Sequence, residues 1–192
     1  MNDTMNSKNE VSKLDEIMNK LSPDERSFVS GLIDKDPLTG LYNRRKFDQD
    51  IELVVSMSGR GNKGSGLLFI DIDHFKKFND EYGHQRGDQV LREITQSIEQ
   101  NLRDYDKIHI YRYGGEEFVI IVSDVSIKDT FQIGDRLRRA VKESSGLTIS
   151  IGISHYKEIS GDLQSLINNA DNALLEAKRK GRDSVVIYGE AP

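Results

Sequence analysis

The chain has 192 residues, of which 36% are hydrophobic and 31% charged, enough to bury one sizeable core and form one main domain with an appendage. Its net charge of −5 provides no broad basic field for nucleic acid or anionic lipid, and the absence of cysteine excludes disulfide frameworks and thiolate zinc sites. The polar start, MNDTMNSKNE, lacks the pattern of a signal peptide, and no apolar run approaches the ~20 residues of a membrane-spanning helix. We therefore expect a cytoplasmic protein that binds neither nucleic acid nor membrane.

Residues 1–35 are predicted to form a short helical segment ahead of a domain that covers residues 36–192. Residues 22–25, SPDE, combine an N-cap serine, a first-turn proline and a capping-box acid, so the segment is interpreted as two short helices meeting near Leu21. Its apolar residues follow a spacing of three and four, although Glu25 occupies one of the expected positions: Val11, Leu14, Met18, Leu21, Phe28 and Leu32. This stripe either packs on its own domain or makes the chain dimerise.

From Asp36 onward, turn residues separate short apolar runs in the manner of a compact mixed domain. Asn43 is predicted to cap a helix, and Gly114 with Gly115 to form a tight hairpin turn in which glycine supplies positive backbone angles. The predicted strands are residues 67–70, 108–113, 118–122, 147–154 and 184–188, and further helices are predicted at residues 90–102, 131–141 and 163–180.

Two pairs of acids stand where predicted strands end. Asp71 and Asp73 follow the apolar strand 67–70, and Glu116 and Glu117 lie at the tip of the predicted hairpin. If the two strands are neighbours in one sheet, Asp71 and Glu116 converge from separate elements onto one site. Mg²⁺ suits such a site, because it binds through one or two carboxylates and keeps its other positions for water and phosphate. Either pair taken alone is more often a set of solvated turn acids.

Four blocks of sequence, taken together, are specific. They are DPLTGLYNRR (36–45), DIDHFKKFNDEYGHQRGD (71–88), RYGGEEF (112–118) and AKRKGR (177–182). In this order they closely resemble the GGDEF family of diguanylate cyclases, in its GGEEF variant, over about residues 36–188. The resemblance implies an α/β (α+β) palm-like nucleotide cyclase fold with a central, mainly antiparallel five-stranded sheet surrounded by helices.

The same resemblance implies an activity and a set of partners. Each domain would hold one GTP, and two domains would face each other in a homodimer to make cyclic dimeric guanosine monophosphate (cyclic di-GMP) and two pyrophosphates. Two other functions stay open: a catalytically inactive domain of this fold that serves as a nucleotide-binding effector, and a cyclase that makes hybrid or adenine cyclic dinucleotides. The first is disfavoured because every matched acid and base is present.

By resemblance, two Mg²⁺ ions per half-site, with Mn²⁺ as an alternative, are held by Asp71, the backbone carbonyl of Ile72 and Glu116. Glu116 is also the expected proton acceptor for the attacking 3′-hydroxyl. The resemblance leaves Glu117 a supporting role, and Asp73 no more than the tying of a turn.

The stretch after the first acid pair resembles the family's phosphate cradle. Backbone N–H groups at His74 and Phe75, at a strand-to-helix turn, are expected to receive phosphate oxygens. Lys76 is expected to stabilise the charge that develops on the transferring phosphorus, while Phe75 and Phe78 also read as core residues.

Asn79 and Asp88 resemble the family's guanine readers. A carboxylate accepts from the N1–H and the exocyclic amine of guanine, a pattern that adenine lacks, so Asp88 favours GTP over ATP. His84 is either a further substrate contact or only part of a turn that links two helices.

Lys178 and Arg182 are spaced one helical turn apart near a predicted helix end, so both are expected to point at the polyphosphate tail. The alternative is an ordinary solvated basic helix terminus, which favours the helix dipole.

Arg103 and Asp106 have the composition of a product-inhibition site found in many relatives. Here seven residues, 107–113, separate Asp106 from Gly114, whereas those relatives have five. Two extra residues absorbed in the strand would move the motif by ~6–7 Å along the sheet, whereas a bulge or a longer turn would leave it in place. Both residues also fit a plain helix-to-strand turn, and we expect weak or absent product inhibition.

Overall fold

The computed structural model describes residues 16–58, 64–102, 110–157, 159 and 162–189, with residues 54–58 described as backbone alone. The chain divides into two compact units, one up to Lys35 and one from Asp36 onward. The first contains helix α1 (Pro23–Ile33), which buries none of its residues.

The predicted capping box at the start of α1 is confirmed. The Glu25 N–H donates to Ser22 Oγ at 3.3 Å, and the Ser22 N–H donates to the Glu25 carboxylate at 2.9 Å. Residues 16–18 are helical ahead of this cap, as the interpretation of two short helices requires. Val11 and Leu14, at the start of the apolar stripe, lie outside the described residues.

The second unit is built on a mixed sheet, which has six strands within the described residues. They are β1 (Tyr42–Asn43), β2 (Ser65–Ile72), β3 (Ile110–Gly114), β4 (Glu117–Ser123), β5 (Ile149–His155) and β6 (Val185–Ile187). Their order is β1-β3-β4-β2-β5-β6, and only the outer pairs β1 with β3 and β5 with β6 are parallel. The α/β fold and the mainly antiparallel sheet are confirmed, with β1 as an additional two-residue strand.

Helices cover both faces of this sheet. They are α2 (Arg44–Ser58), α3 (Phe75–Tyr82), α4 (His84–Asn101), α5 (Ile127–Ser145) and α6 (Leu163–Arg179). Along β2, Leu68 and Ile70 belong to a core cluster shared with α4 and α5, whereas Leu67 and Phe69 belong to one shared with α2 and α6. Because β2 is buried on both faces, its sequence is a continuous apolar run rather than an alternation of apolar and polar residues. In the part of the chain that the structure describes, every helix is too short or too polar to cross a bilayer.

Candidate active site

Asp71 lies near the end of the central strand β2, with a neighbouring strand on each side. Its direct partner on β4 is Glu117, and its direct partner on β5 is Ser150. Asp71 has the same strand parity as Phe69, whose side chain packs in the cluster shared with α2 and α6. The Asp71 residue is only 8% exposed. The fold therefore presents a buried carboxylate toward the α6 side of the sheet.

Lys178 of α6 is the basic partner of Asp71, with 2.7 Å between its Nζ and Asp71 Oδ2. Helix α6 packs closely on the sheet, since a Cβ at Gly152 of β5 would overlap the backbone of Ala170 and Leu174. This close packing brings Lys178 within reach of Asp71. Burial raises the pKa of Asp71 above its ordinary value of 3.8, and the hydrogen bond and charge of Lys178 offset only part of that effect. The positive charge of Lys178 thus compensates only part of the cost of burying the Asp71 carboxylate.

Glu117 adds a second acid to this group. Burial raises the pKa of Glu117, and the negative charge of Asp71 raises it further, while Lys178 acts in the opposite direction. Asp71 and Glu117 share the charge of a single ammonium group, Lys178, so a bound cation would lower the repulsion between the two carboxylates, and Mg²⁺ binds proteins through one or two carboxylates. Among the described residues, no group of three or more His, Cys, Asp or Glu forms an all-protein metal cage. The pair Asp71 and Glu117 offers the one or two carboxylates through which Mg²⁺ binds while it keeps its other positions for water and phosphate.

Glu116 contacts β2 through its backbone, since its carbonyl accepts from the Ile72 N–H at 3.3 Å. Gly114 pairs with Glu117, so Gly115 and Glu116 form the two-residue turn of the hairpin. The expected neighbourhood of the two strands is present, but the acid directly opposite Asp71 is Glu117. Sequence reasoning did not identify Glu117 as the residue that pairs with Asp71, because the register of the hairpin depends on which residues occupy the turn. The supporting role expected of Glu117 remains a prediction. The metal and proton roles of Glu116 remain predictions.

The expectation that Gly114 and Gly115 supply positive backbone angles is wrong, because neither has a positive φ. The chain turns differently: the register between β3 and β4 shifts between Arg112 and Gly114, which leaves Tyr113 as the additional residue of a bulge. Space accounts for one of the glycines. A Cβ at Gly114 would lie 3.1 Å from the Glu117 carboxylate.

Arg112 connects the tip of the β3–β4 hairpin to Asp36. Its Nε and Nη2 donate to the Gly115 carbonyl at 3.1 and 2.7 Å, and its Nη1 donates to Asp36 Oδ1 at 2.9 Å. Asp36 also accepts from the N–H and the hydroxyl of Thr39 at 2.8 and 2.7 Å. Burial alone would raise the pKa of Asp36, but the hydrogen bonds of Thr39 and Arg112 outweigh it and hold the pKa below the ordinary value. The first and third sequence blocks thus form one structural unit.

The predicted phosphate cradle lies at the start of α3. His74 is the N-cap in a left-handed conformation with φ of 59°, and its side chain makes no capping hydrogen bond. Because the first N–H groups of a helix have no partner within that helix, an uncapped start suits phosphate oxygens. Phe75 is buried and Phe78 packs against the core, as expected, while Lys76 is exposed. The roles of His74, Phe75 and Lys76 toward substrate remain predictions.

The predicted guanine readers are brought together by α3 and α4. The Asn79 side chain packs on Gly87, so closely that a Cβ at Gly87 would overlap it, and Asp88 is the next residue. Asn79 Oδ1 is buried and has no hydrogen-bond partner. His84 and Asp88 are exposed on α4, and the turn that links the two helices is confined to Gly83, with φ of 83°.

The predicted helical spacing of Lys178 and Arg182 is wrong, because α6 ends at Arg179 and Arg182 lies in the following turn with φ of 68°. Gly181, with φ of 115°, ends the helical path, since helices commonly stop at a glycine with positive φ. Both cations nevertheless act on the same carboxylate: the charges of Lys178 and Arg182 each lower the pKa of Asp71, against its burial.

Asp73 does far more than tie a turn. It is 2% exposed and accepts hydrogen bonds from the hydroxyls of Thr148 and Ser150, both at 2.7 Å, and from the Asp183 N–H at 3.0 Å. No sequence signal indicated these partners, because they lie just before β5, on β5 and beyond α6. Arg103 and Asp106, the candidate product-inhibition residues, lie outside the described residues, so their role remains a prediction.

Comparison with known proteins identifies similar sequences. The sequence profile of the family described as "Diguanylate cyclase, GGDEF domain" matches residues 33–184. The response regulator PleD of Caulobacter vibrioides is 38% identical over 161 residues, which cover 79% of this chain and 35% of PleD. The diguanylate cyclase VdcA of Vibrio cholerae is 36% identical over 189 residues, which cover 92% of this chain and 51% of VdcA. The chain thus spans about half the length, or less, of these relatives.

Solved structures show the same fold. The diguanylate cyclase SiaD of Pseudomonas aeruginosa, solved with its activator SiaC, matches with a TM-score of 0.75 at 31% identity, over 97% of this chain and 74% of SiaD. The GGDEF domain of DgcB from Caulobacter crescentus, solved in complex with c-di-GMP, matches with a TM-score of 0.73 at 31% identity, over 82% of this chain and 96% of that domain.

Proposed function

Because the chain belongs to the GGDEF family of diguanylate cyclases, we propose that it condenses two molecules of GTP into cyclic di-GMP and releases two pyrophosphates. The observation that carries this proposal is the meeting of Asp71, Glu117 and Lys178 at the end of the central strands. Such a transfer requires carboxylates that hold a divalent cation and a cationic side chain that neutralises the charge of phosphate.

In this reaction, the 3′-hydroxyl of each GTP attacks the α-phosphorus of the other, in line with the departing pyrophosphate. The protein contributes mainly by positioning the two nucleotides and by neutralising charge. Mg²⁺, two ions per half-site, would supply acidity to the attacking hydroxyl and charge neutralisation at the leaving oxygen.

The hairpin register supports a proposed division of the acidic roles between Glu116 and Glu117. Asp71 and Glu117 would hold metal together with the Ile72 carbonyl, because these two carboxylates face each other and both have raised pKa values. Glu116, in the turn itself, would then be the proton acceptor for the 3′-hydroxyl. This assignment gives Glu117 a direct role and leaves Glu116 its catalytic one.

The rest of GTP would be held by basic residues and by the helices α3 and α4. Lys178 and Arg182 would take the polyphosphate, assisted by Lys76 and by the N–H groups at the start of α3. Asn79 and Asp88 would read the guanine, and the buried Asn79 Oδ1 would accept one of its N–H groups.

One domain provides half of the required site, so we propose that the active form is a homodimer, with the N-terminal segment as the candidate dimerising element. A reaction that consumes GTP would take place in the cytoplasm.

The test is a turnover assay with purified protein, Mg²⁺ and an equimolar mixture of GTP and ATP, with products identified by mass spectrometry. Cyclic di-GMP as the main product, lost when EDTA is added, is the expected result. The assay is run at several protein concentrations, because a reaction that needs two half-sites slows per protomer on dilution. Adenine-containing products would point to a hybrid cyclase, and GTP binding without turnover would point to an effector; either result would overturn the proposal.

A further inference from the structure

The turn after α6 has an unusual backbone. Gly181, Arg182 and Asp183 follow one another with φ values of 115°, 68° and 42°. A positive φ is uncommon for a residue other than glycine and costs free energy unless the surroundings enforce it. Arg182, one of the two candidate polyphosphate ligands, is therefore presented by a backbone that other groups must hold.

Two sets of contacts hold this turn. The Arg182 N–H donates to the Ala177 carbonyl at 3.1 Å, which closes the end of α6. The Asp183 carboxylate accepts from Arg138 Nη1 and Lys142 Nζ of α5, both at 2.6 Å. The Asp183 N–H, in the middle of the turn, donates to Asp73 Oδ2 at 3.0 Å.

Asp73 is a rigid acceptor for this N–H. Its two oxygens are fixed by the hydroxyls of Thr148 and Ser150, on the segment that pairs with the end of β2. At 2% exposure it has almost no contact with water, so its hydrogen bonds do not compete with solvent.

The position of Asp73 links the turn to the acids of the site. Asp73 lies two residues after Asp71 in the chain, so the hydrogen bond to Asp183 fixes the Arg182 backbone relative to the metal-binding end of β2. Ala177, which holds the Arg182 N–H, immediately precedes Lys178 on α6. Arg182 is therefore connected to Lys178 and to Asp71 through one hydrogen bond and one or two neighbouring residues in each case.

We propose that Asp73 is a positioning residue: its buried carboxylate holds turn 181–183 so that Arg182 stands beside Asp71 and Lys178 and receives the polyphosphate of GTP. This inference rests on the proposed function.

The test is a double-mutant cycle on Asp73→Ala and Arg182→Ala, with KM and kcat for GTP measured for each variant. If Asp73 acts through Arg182, each single variant raises KM roughly tenfold, as expected for the loss of a charged hydrogen bond, and the double variant raises it no further. If Asp73→Ala leaves KM unchanged, Asp73 serves stability alone, and if the two effects on KM multiply in the double variant, Asp73 acts independently of Arg182; either result overturns the inference. Asp73→Asn, whose amide oxygen can accept from Asp183 while its NH₂ donates to Ser150, should restore most of the parent KM.

Thr130→Val is the matched control, because it removes a buried hydroxyl that donates to the Ser126 carbonyl at 2.9 Å, away from the site. It should lower the thermal midpoint as Asp73→Ala does, while leaving KM unchanged. If KM rises in Thr130→Val as it does in Asp73→Ala, then KM simply follows the loss of stability, and this result would contradict a positioning role.

Two readouts keep the inference separable from the proposed function. Hydrogen exchange at the Asp183 amide should accelerate in Asp73→Ala, and calorimetric affinity for inorganic pyrophosphate should fall roughly tenfold; neither requires turnover. If the parent fails to turn over GTP but both changes occur, the proposed function fails and the positioning role stands. If the Asp183 amide keeps its protection, the inference fails whatever the activity. Should Asp73→Ala not fold, Thr148→Val replaces it in the cycle with the same criterion, because it removes the hydroxyl that fixes the Asp73 oxygen that accepts from the Asp183 N–H.

Discussion

The two ends of the candidate site are built differently. At the strand end, Asp71 and Asp73 are 8% and 2% exposed, and their neighbours on β4, β5 and α6 fix their surroundings. At the helix end, His84 and Asp88 are exposed on α4, and Asn79 carries a buried oxygen with no hydrogen-bond partner. The charged groups that would serve chemistry are thus placed by the sheet, whereas the groups that would read the base depend on the substrate for their partners. Substitutions at the strand end should therefore abolish turnover, and those at the helix end should change affinity and base choice.

Asp71→Asn should have the largest effect, a loss of roughly a thousandfold or more in kcat, because it removes the central carboxylate of the proposed metal site. Burial already raises the pKa of Asp71, so the neutral isostere should fold as well as the parent. Turnover is measured by product chromatography and stability by urea unfolding. A variant with near-parental turnover would contradict the contrast between the two ends.

The two hairpin acids can be separated by a magnesium titration. Glu116→Ala should abolish cyclisation with an unchanged Mg²⁺ requirement for GTP binding, since it removes the proposed proton acceptor. Glu117→Gln should raise the Mg²⁺ concentration at half-maximal binding roughly tenfold, because one of two facing carboxylates is lost. The reverse pattern would return the metal role to Glu116.

At the helix end, Asp88→Ser should reduce the preference for GTP over ATP roughly 10- to 100-fold in kcat/KM, since it removes an acceptor that adenine leaves unpaired. The kcat for GTP should change much less. Competition between the two nucleotides, with products separated by mass, measures this ratio. An unchanged preference would exclude Asp88 as a base reader.

Gly87→Ala tests the same end without removing a polar group. The added methyl would displace the Asn79 side chain, so KM for GTP should rise about fivefold, as for the loss of one hydrogen bond. Alanine is a better helix former than glycine, so the thermal midpoint should not fall as KM rises. A lower midpoint with unchanged KM would mean that the space at Gly87 serves packing alone.

Asp36→Asn should have the smallest effect, because Asp36 supports the hairpin tip from outside the site. Its carboxyl has a lowered pKa, so it stabilises the fold above the ordinary value of 3.8, and this contribution is lost as pH falls through the lower folded value. Near pH 7 the variant should be less stable by roughly 1–2 kcal/mol. Urea unfolding at several pH values measures the difference, which should vanish at the acidic end; a pH-independent difference would contradict the ion pair with Arg112.

Local patterns predicted much of the fold. The apolar runs of β2, β4 and β5 and the SPDE cap of α1 depend on neighbouring residues, and all are present. The two-residue strand β1 could not be predicted, because it is too short to show alternation and exists only through its pairing with β3.

The sequence nominated the residues of the candidate site, and their roles remain predictions, but it could not provide the geometry of that site. The choice of Glu117 as the acid facing Asp71 depends on the hairpin register, and the place of Arg182 depends on where α6 ends. Both are decided by tertiary contacts, among them those of Asp73, whose partners are far away in the sequence. Spacing in the sequence does not contain this information.

The contacts of Asp73 also bear on how the protein folds. Its hydrogen bonds to Thr148, Ser150 and Asp183 join positions 75, 77 and 110 residues apart. Contacts of such long range form only after large loops have closed, and topologies rich in them fold slowly. During refolding, helical signal should therefore return before nucleotide binding, because no fragment that lacks β5 or the turn after α6 contains the complete arrangement around Asp73.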